Sequence, residues 1–122
     1  MSKCPRTFED VTRLIREFVD ERDWNQYHKP AALAISASIE AGELLELFQW
    51  KTDEEVKESL QSEKYKTALS DEIADVMIYL LRLADTVGID AAAAIADKMK
   101  KNEAKYPASR FLGVRPDTFK KP

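Results

Sequence analysis

Four carboxylates are set apart by their spacing and surroundings. Glu40 and Glu43 lie three residues apart in the segment 30–50, PAALAISASIEAGELLELFQW, where Glu40, Glu43 and Glu46 are the only ionisable side chains. Glu72 and Asp75 repeat that interval in 69–85, LSDEIADVMIYLLRLAD, where Asp75 is the only charge between Ile73 and Leu81. On a helix such pairs face each other on adjacent turns, about 5–6 Å apart at Cβ. A carboxylate withdrawn from water among apolar residues must be protonated, meet a cation or bind a metal. For two adjacent carboxylates one shared cation is the economical answer, and two such pairs on antiparallel helices would converge on one site. All-oxygen donors suit hard divalent cations, Mg2+ foremost, with Mn2+ able to substitute.

Other metals fit poorly. A di-iron bundle needs Glu-x-x-His pairs, and the only histidine, His28, follows no glutamate at that spacing. Zinc favours cysteine and histidine. Glu46 and Asp71 fall off the carboxylate face, whereas Glu72, Asp75, Tyr79 and Arg82 occupy successive turns of one helix.

Aromatic residues flank these acids. Trp24 and Trp50 bracket the segment holding the first pair, and Tyr79 is one turn from Asp75. A base stacked on aromatics beside a metal-phosphate site needs that layout; each ring alone is more often core. His28 either fixes the connector or meets a ligand. Lys98, Asn102 and Lys105 line one side of a later helix, either as a solvated face or as phosphate contacts.

The elements that must position these groups are helical. Thr7 and Asp10 form a loosened capping box ahead of Phe8, Val11, Leu14, Ile15, Phe18 and Val19, which recur at helical spacing and predict a first helix over Phe8–Arg22. An aromatic and polar connector leads to Pro30, suited to the first turn of a central helix over Pro30–Trp50. That helix has no broad polar face, so it is expected to be buried on most sides, Glu40 and Glu43 included. Thr52 caps a short helix to about Leu60, and a long helix runs from Glu63 to Val87 with Leu69, Ile73, Val76, Met77, Leu80, Leu81 and Leu83 as core. Gly88 stops it, Asp90 caps a last helix over Ala91–Tyr106, and the tail 107–122 is expected extended.

The composition agrees. With 122 residues, three glycines and five prolines, the chain reads as one all-α domain, residues 1–122, a bundle of four main helices plus a short connecting helix. So small a domain cannot cover its own apolar helices, which implies a homo-oligomer. A net charge of −3 offers no basic footprint for polymeric nucleic acid. One cysteine, Cys4, the lack of an apolar run long enough to span a membrane and the absence of a signal-like segment in Met1–Arg6 point to the cytoplasm.

Four segments in order, ERDWNQYHKP, IEAGELLELFQW, LSDEIADVMIYLLRLAD and KMKKNEAKYP, resemble the all-α nucleotide pyrophosphohydrolases of the MazG-like superfamily, most closely their dCTP pyrophosphatase branch. The likeness spans nearly the whole chain. The superfamily pattern EExxE followed by ExxD is altered here, since Ile39 occupies the place of the first glutamate, as in the dCTP branch. The resemblance implies that Glu40, Glu43, Glu72 and Asp75 hold Mg2+; the expected general base is a glutamate of the central helix, Glu43 or Glu40. It implies a nucleotide pocket of Trp24, His28, Trp50, Tyr79, Lys98 and Asn102, continued by Lys105 and Tyr106, and a dimer of dimers. The implied reaction converts a (deoxy)nucleoside triphosphate, with dCTP or a modified dCTP preferred, to monophosphate and pyrophosphate. The alternatives are another nucleotide substrate, such as dUTP or a damaged triphosphate, or a non-catalytic helical module that binds nucleotide or protein.

Overall fold

The structure, a computed structural model, describes residues 4–117, and no strand occurs among them. The all-α expectation is met. The chain divides into two compact units, Met1–Ile89 and Asp90–Pro122.

The first unit begins with α1, Phe8–Glu21, whose N-cap Thr7 hydroxyl accepts the Asp10 backbone N–H at 3.0 Å. Its C-terminus closes as a Schellman turn: the Asp23 N–H donates to the Asp20 carbonyl at 3.1 Å and the Trp24 N–H to the Val19 carbonyl at 3.1 Å. Asp23 takes the left-handed conformation, φ 53°, that glycine usually fills here. A 3-10 turn, Asn25–Tyr27, leads to α2, Pro30–Glu46, with proline in its first turn.

Helix α2 stops short of the expected Trp50. Leu47 and Phe48 bond back three residues, to the carbonyls of Leu44 and Leu45, and Trp50 turns left-handed at φ 67°. Helix α3, Asp53–Ser59, carries the full capping box of Thr52 and Glu55, and α4, Glu63–Thr86, is capped by Ser62. Gly88, at φ 73°, ends it in a second Schellman turn in which the Ile89 N–H reaches the Ala84 carbonyl at 2.8 Å.

Packing in this unit is an α2–α4 pair with α1 laid against α4. The pair is antiparallel, since residues rising along α2 meet residues falling along α4. The Tyr65 hydroxyl donates to the Leu47 carbonyl at 2.7 Å, Glu40 and Glu43 face Glu72, and Ser36 and Leu33 share a cavity with Tyr79. Among the described residues, Ile15, Val19, Leu33, Ala37 and Leu81 are the buried apolar side chains.

That core is narrower than expected. Helix α2 is not buried on most sides within the chain: Ile35, Ile39 and Leu45 are 61%, 59% and 66% exposed. On α4, Ile73, Met77 and Leu80 are also exposed, while Leu69, Val76 and Leu83 are half-buried. The reason is geometric, because a helix apolar all round needs neighbours on every side, and within this unit the main packing partner of α2 is α4.

The second unit holds α5, Ala91–Lys105, capped by the Asp90 carboxylate, which accepts the Ala93 N–H at 3.0 Å. The tail is not wholly extended, since Ala108–Phe111 form a helical turn, α6, held by backbone bonds to the Pro107 carbonyl and by an edge-on contact of Phe111 with Tyr106 at 5.3 Å. Residues 1–3 and residues 118–122, the end of the expected tail, lie outside the described residues. No helix among the described residues is long and apolar enough to cross a membrane.

Candidate active site

The carboxylates converge where the antiparallel pair crosses. Oxygens of Glu40, Glu43 and Glu72, one from each, lie within 4.8 Å of one another. Glu40 and Glu72 are half-buried and Glu43 is exposed, which corrects the expectation that Glu43 sits inside. Oε2 of Glu40 and Oε2 of Glu72 are buried and have no hydrogen-bond partner, an arrangement whose full desolvation cost goes uncompensated unless a cation or proton is supplied.

Electrostatics tell the same story. Shielding from water pushes the Glu40 carboxyl above its ordinary range, reinforced by its contact with Glu43 and then by the charges of Glu43, Asp75 and Glu72. Glu72 is raised by the same shielding first and then by Glu43, Asp75, Asp71 and Glu46. Asp75, half-buried, stands outside the tightest three-oxygen group, yet its charge bears on both. Two orphaned buried oxygens within an all-oxygen, like-charged cluster fit a hard divalent cation, and these residues are the ones that would hold it.

Beside the cluster, toward the start of α2 and the end of α4, is a cavity of about 240 Å³ lined by Trp24, Tyr27, His28, Ala32, Leu33, Ser36 and Tyr79. Trp24, which follows the left-handed Asp23, lines the cavity, and its ring meets Phe18 edge-on at 5.6 Å. Three expected residues, Trp24, His28 and Tyr79, therefore come together. Trp50 does not join them: it is 89% exposed at the far end of α2.

Lys98, Asn102, Lys105 and Tyr106 belong to the second unit. Lys98 and Lys105 are exposed and Asn102 and Tyr106 half-buried. The Lys105 ammonium lies 5.3 Å from the Tyr106 ring centroid, and the Tyr106 N–H donates to the Asn102 carbonyl at 2.7 Å.

Sequence reasoning noted Arg82 on the carboxylate face but missed what it does. Only 7% exposed, it donates from Nε to His28 Nδ1 at 3.2 Å, from Nη1 to Asp85 at 3.1 Å and from Nη2 to Asn25 Oδ1. Arg16 grips the same Asp85 at 2.6 and 3.1 Å. These bonds hold the Asp85 carboxyl below the usual carboxylate range, the bond from Arg16 foremost. The available signal was an arginine in an apolar run with an aspartate three residues on.

Fold and cluster together define a class: an all-α protein that carries, on one antiparallel helix pair, an acidic cluster that could hold a cation and an aromatic-lined cavity. The model of the MazG-like family matches residues 35–115, and the chain belongs to that family. It is 46% identical over 102 residues to dCTP pyrophosphatase 1 of Homo sapiens, covering 84% of this chain and 60% of that protein. Against dCTP pyrophosphatase 1 of Bos taurus the identity is 45% over 107 residues, 88% of this chain and 63% of the relative. The chain thus spans about three fifths of the length of these curated relatives. Among solved structures it is similar to a pyrophosphatase from Archaeoglobus fulgidus DSM 4304, with a TM-score of 0.77 and 44% identity over 88% of this chain and 98% of that one.

Proposed function

We propose that this chain is a Mg2+-dependent nucleoside triphosphate pyrophosphohydrolase whose substrate is dCTP or a modified dCTP. The observation that carries the reading is the convergence of Glu40, Glu43 and Glu72 within 4.8 Å, two of them with orphaned buried oxygens, beside an aromatic cavity. The likeness to dCTP pyrophosphatases supports the choice of base.

Glu40, Glu43 and Glu72, with Asp75 close by, would hold Mg2+, which when bound neutralises triphosphate charge and polarises the phosphoryl group under attack. Glu43, the exposed member, accepts a proton from a water whose oxygen bonds to the α-phosphorus, while the bond to the bridging oxygen breaks and pyrophosphate leaves with that electron pair. Trp24 stacks on the base, and His28 and Tyr79 border it. Lys98, Asn102, Lys105 and Tyr106, by resemblance, contact the nucleotide, and Trp50 does so through the assembled oligomer. The exposed apolar residues of α2 and α4 support a homo-oligomer, a dimer of dimers by family likeness. We further propose that residues 1–122 act as one domain in the cytoplasm, where the nucleotide substrate is found.

The test is pyrophosphate release from a panel of nucleoside triphosphates with and without Mg2+. The expected result is preferential turnover of dCTP, lost without Mg2+ and in Glu43→Gln. Turnover of dUTP or a damaged triphosphate alone would replace the substrate, and Mg2+-dependent nucleotide binding with no pyrophosphate released would replace the activity.

A further inference from the structure

A buried arginine needs a reason, and Arg82 is the one charged side chain among the buried residues described. We propose that Arg82 is a positioning residue that holds His28 as a neutral imidazole protonated on Nε2, so that Nε2–H donates to the carbonyl oxygen of a pyrimidine base in the aromatic cavity. This rests on the nucleotide reading above.

The proton assignment follows from the donor. An arginine Nε always carries hydrogen, so at 3.2 Å from it the His28 Nδ1 must present its lone pair, and a neutral ring then keeps its proton on Nε2. The ring borders the 240 Å³ cavity, into which a base could bring an acceptor for that proton. The guanidinium plane that aims this bond is set from three directions: Asp85 on α4, Asn25 in the connector, and α1, from which Arg16 shares Asp85 while Asp20 Oδ1 accepts the Asn25 amide at 2.6 Å.

Protonating the ring would set an imidazolium against that guanidinium. Arg82 is the charge that bears on the ring. Asp85 on α4, shared with Arg16 of α1, holds that guanidinium, Asp20 of α1 holds Asn25, and Lys29 follows His28 at the start of α2. Helix α2 lines the cavity with uncharged Ala32, Leu33 and Ser36, and the other titratable groups lining it are the phenols of Tyr27 and Tyr79. Burial pushes His28 below its ordinary 6.5, and Arg82 pushes the same way. A neutral donor in an apolar, aromatic cavity suits a neutral carbonyl acceptor rather than a phosphate, whose charge is better met by cations.

Because His28 is the only histidine, the 15N ring resonances of the full chain report it without ambiguity. The expected result is the Nε2–H neutral tautomer at pH 7, a shift of Nε2 on adding dCMP, and none on adding inorganic pyrophosphate. In Arg82→Lys, which keeps the charge and loses the fixed fork, the tautomers should mix, KM for dCTP should rise about tenfold, and kcat should stay within about twofold. An Nδ1–H tautomer or an imidazolium at pH 7 in the native chain overturns the proposal, as does an Nε2 resonance that ignores dCMP. Neither outcome needs a variant to fold. Absence of pyrophosphate release with the Nε2 response intact would sink the enzymatic reading and leave this one standing.

Discussion

Glu40 on α2 and Glu72 on α4 each bury one carboxylate oxygen, Oε2, that finds no donor, although oxygens of the two residues lie within 4.8 Å. Like charges brought together out of water oppose folding until something neutralises them. A divalent cation should therefore stabilise the protein markedly: at about 100-fold over its Kd, binding adds about 2.7 kcal/mol, read as a rise of several degrees in Tm. Glu40→Gln and Glu72→Gln should each raise the Tm of the metal-free chain and abolish the Mg2+ increment. A Tm indifferent to Mg2+ would count against the cation site.

Removing Glu43 should act on turnover rather than on folding, because its side chain is exposed. We expect kcat of Glu43→Gln to fall by at least ~10²-fold while the chain still folds without metal. Equal activity in the variant would remove Glu43 from the chemistry.

Asp85, held by Arg16 and Arg82, should dominate part of the acid limb of stability. Its folded-state value is depressed below 3.8, so its contribution is present above 3.8 and is lost as pH falls through the folded value. Asp85→Asn should cost about 2 kcal/mol at pH 7, since Arg82 is left buried with less countercharge, and should flatten the loss of stability below about pH 4. Urea denaturation across that pH range checks both. An unchanged acid limb would show that the ion pairs contribute nothing measurable.

The two tryptophans should behave differently. Trp24 borders the cavity, so Trp24→Ala should raise KM for dCTP about tenfold through lost stacking. Trp50, 89% exposed within the chain, should leave the stability of a dissociated subunit unchanged when replaced by alanine. Its replacement should weaken nucleotide binding only in the assembled protein, as equilibrium titration on the two species would reveal.

Gly88 tests the end of α4. Its φ is 73°, and a Cβ at this position would have nothing within 4 Å. Gly88→Ala therefore meets no clash, and its cost is backbone strain alone, about 1 kcal/mol in chemical denaturation. A neutral substitution would show that the turn relaxes.

Much of this was written in local sequence. Caps such as Thr52 with Glu55, proline at the start of α2 and glycine after α4 act over a few residues, so helix boundaries were legible from them. The end of α2 was not, because Trp50 is left-handed without being glycine and carries no such mark. The paired acids were legible because three-residue spacing is a property of one helix. Which acids share a cation was not: Glu40, Glu43 and Glu72 meet through the packing of α2 on α4, and that same packing leaves Glu43 in water and Ile35, Ile39 and Leu45 uncovered. Nor could spacing reveal the bond between Arg82 and His28, which belong to different elements. The sequence alone determined the helices and the chemistry they carry, because capping and periodicity are local; tertiary structure decided which carboxylates meet and which ring nitrogen of His28 accepts from Arg82, because those depend on contacts between residues far apart in the chain.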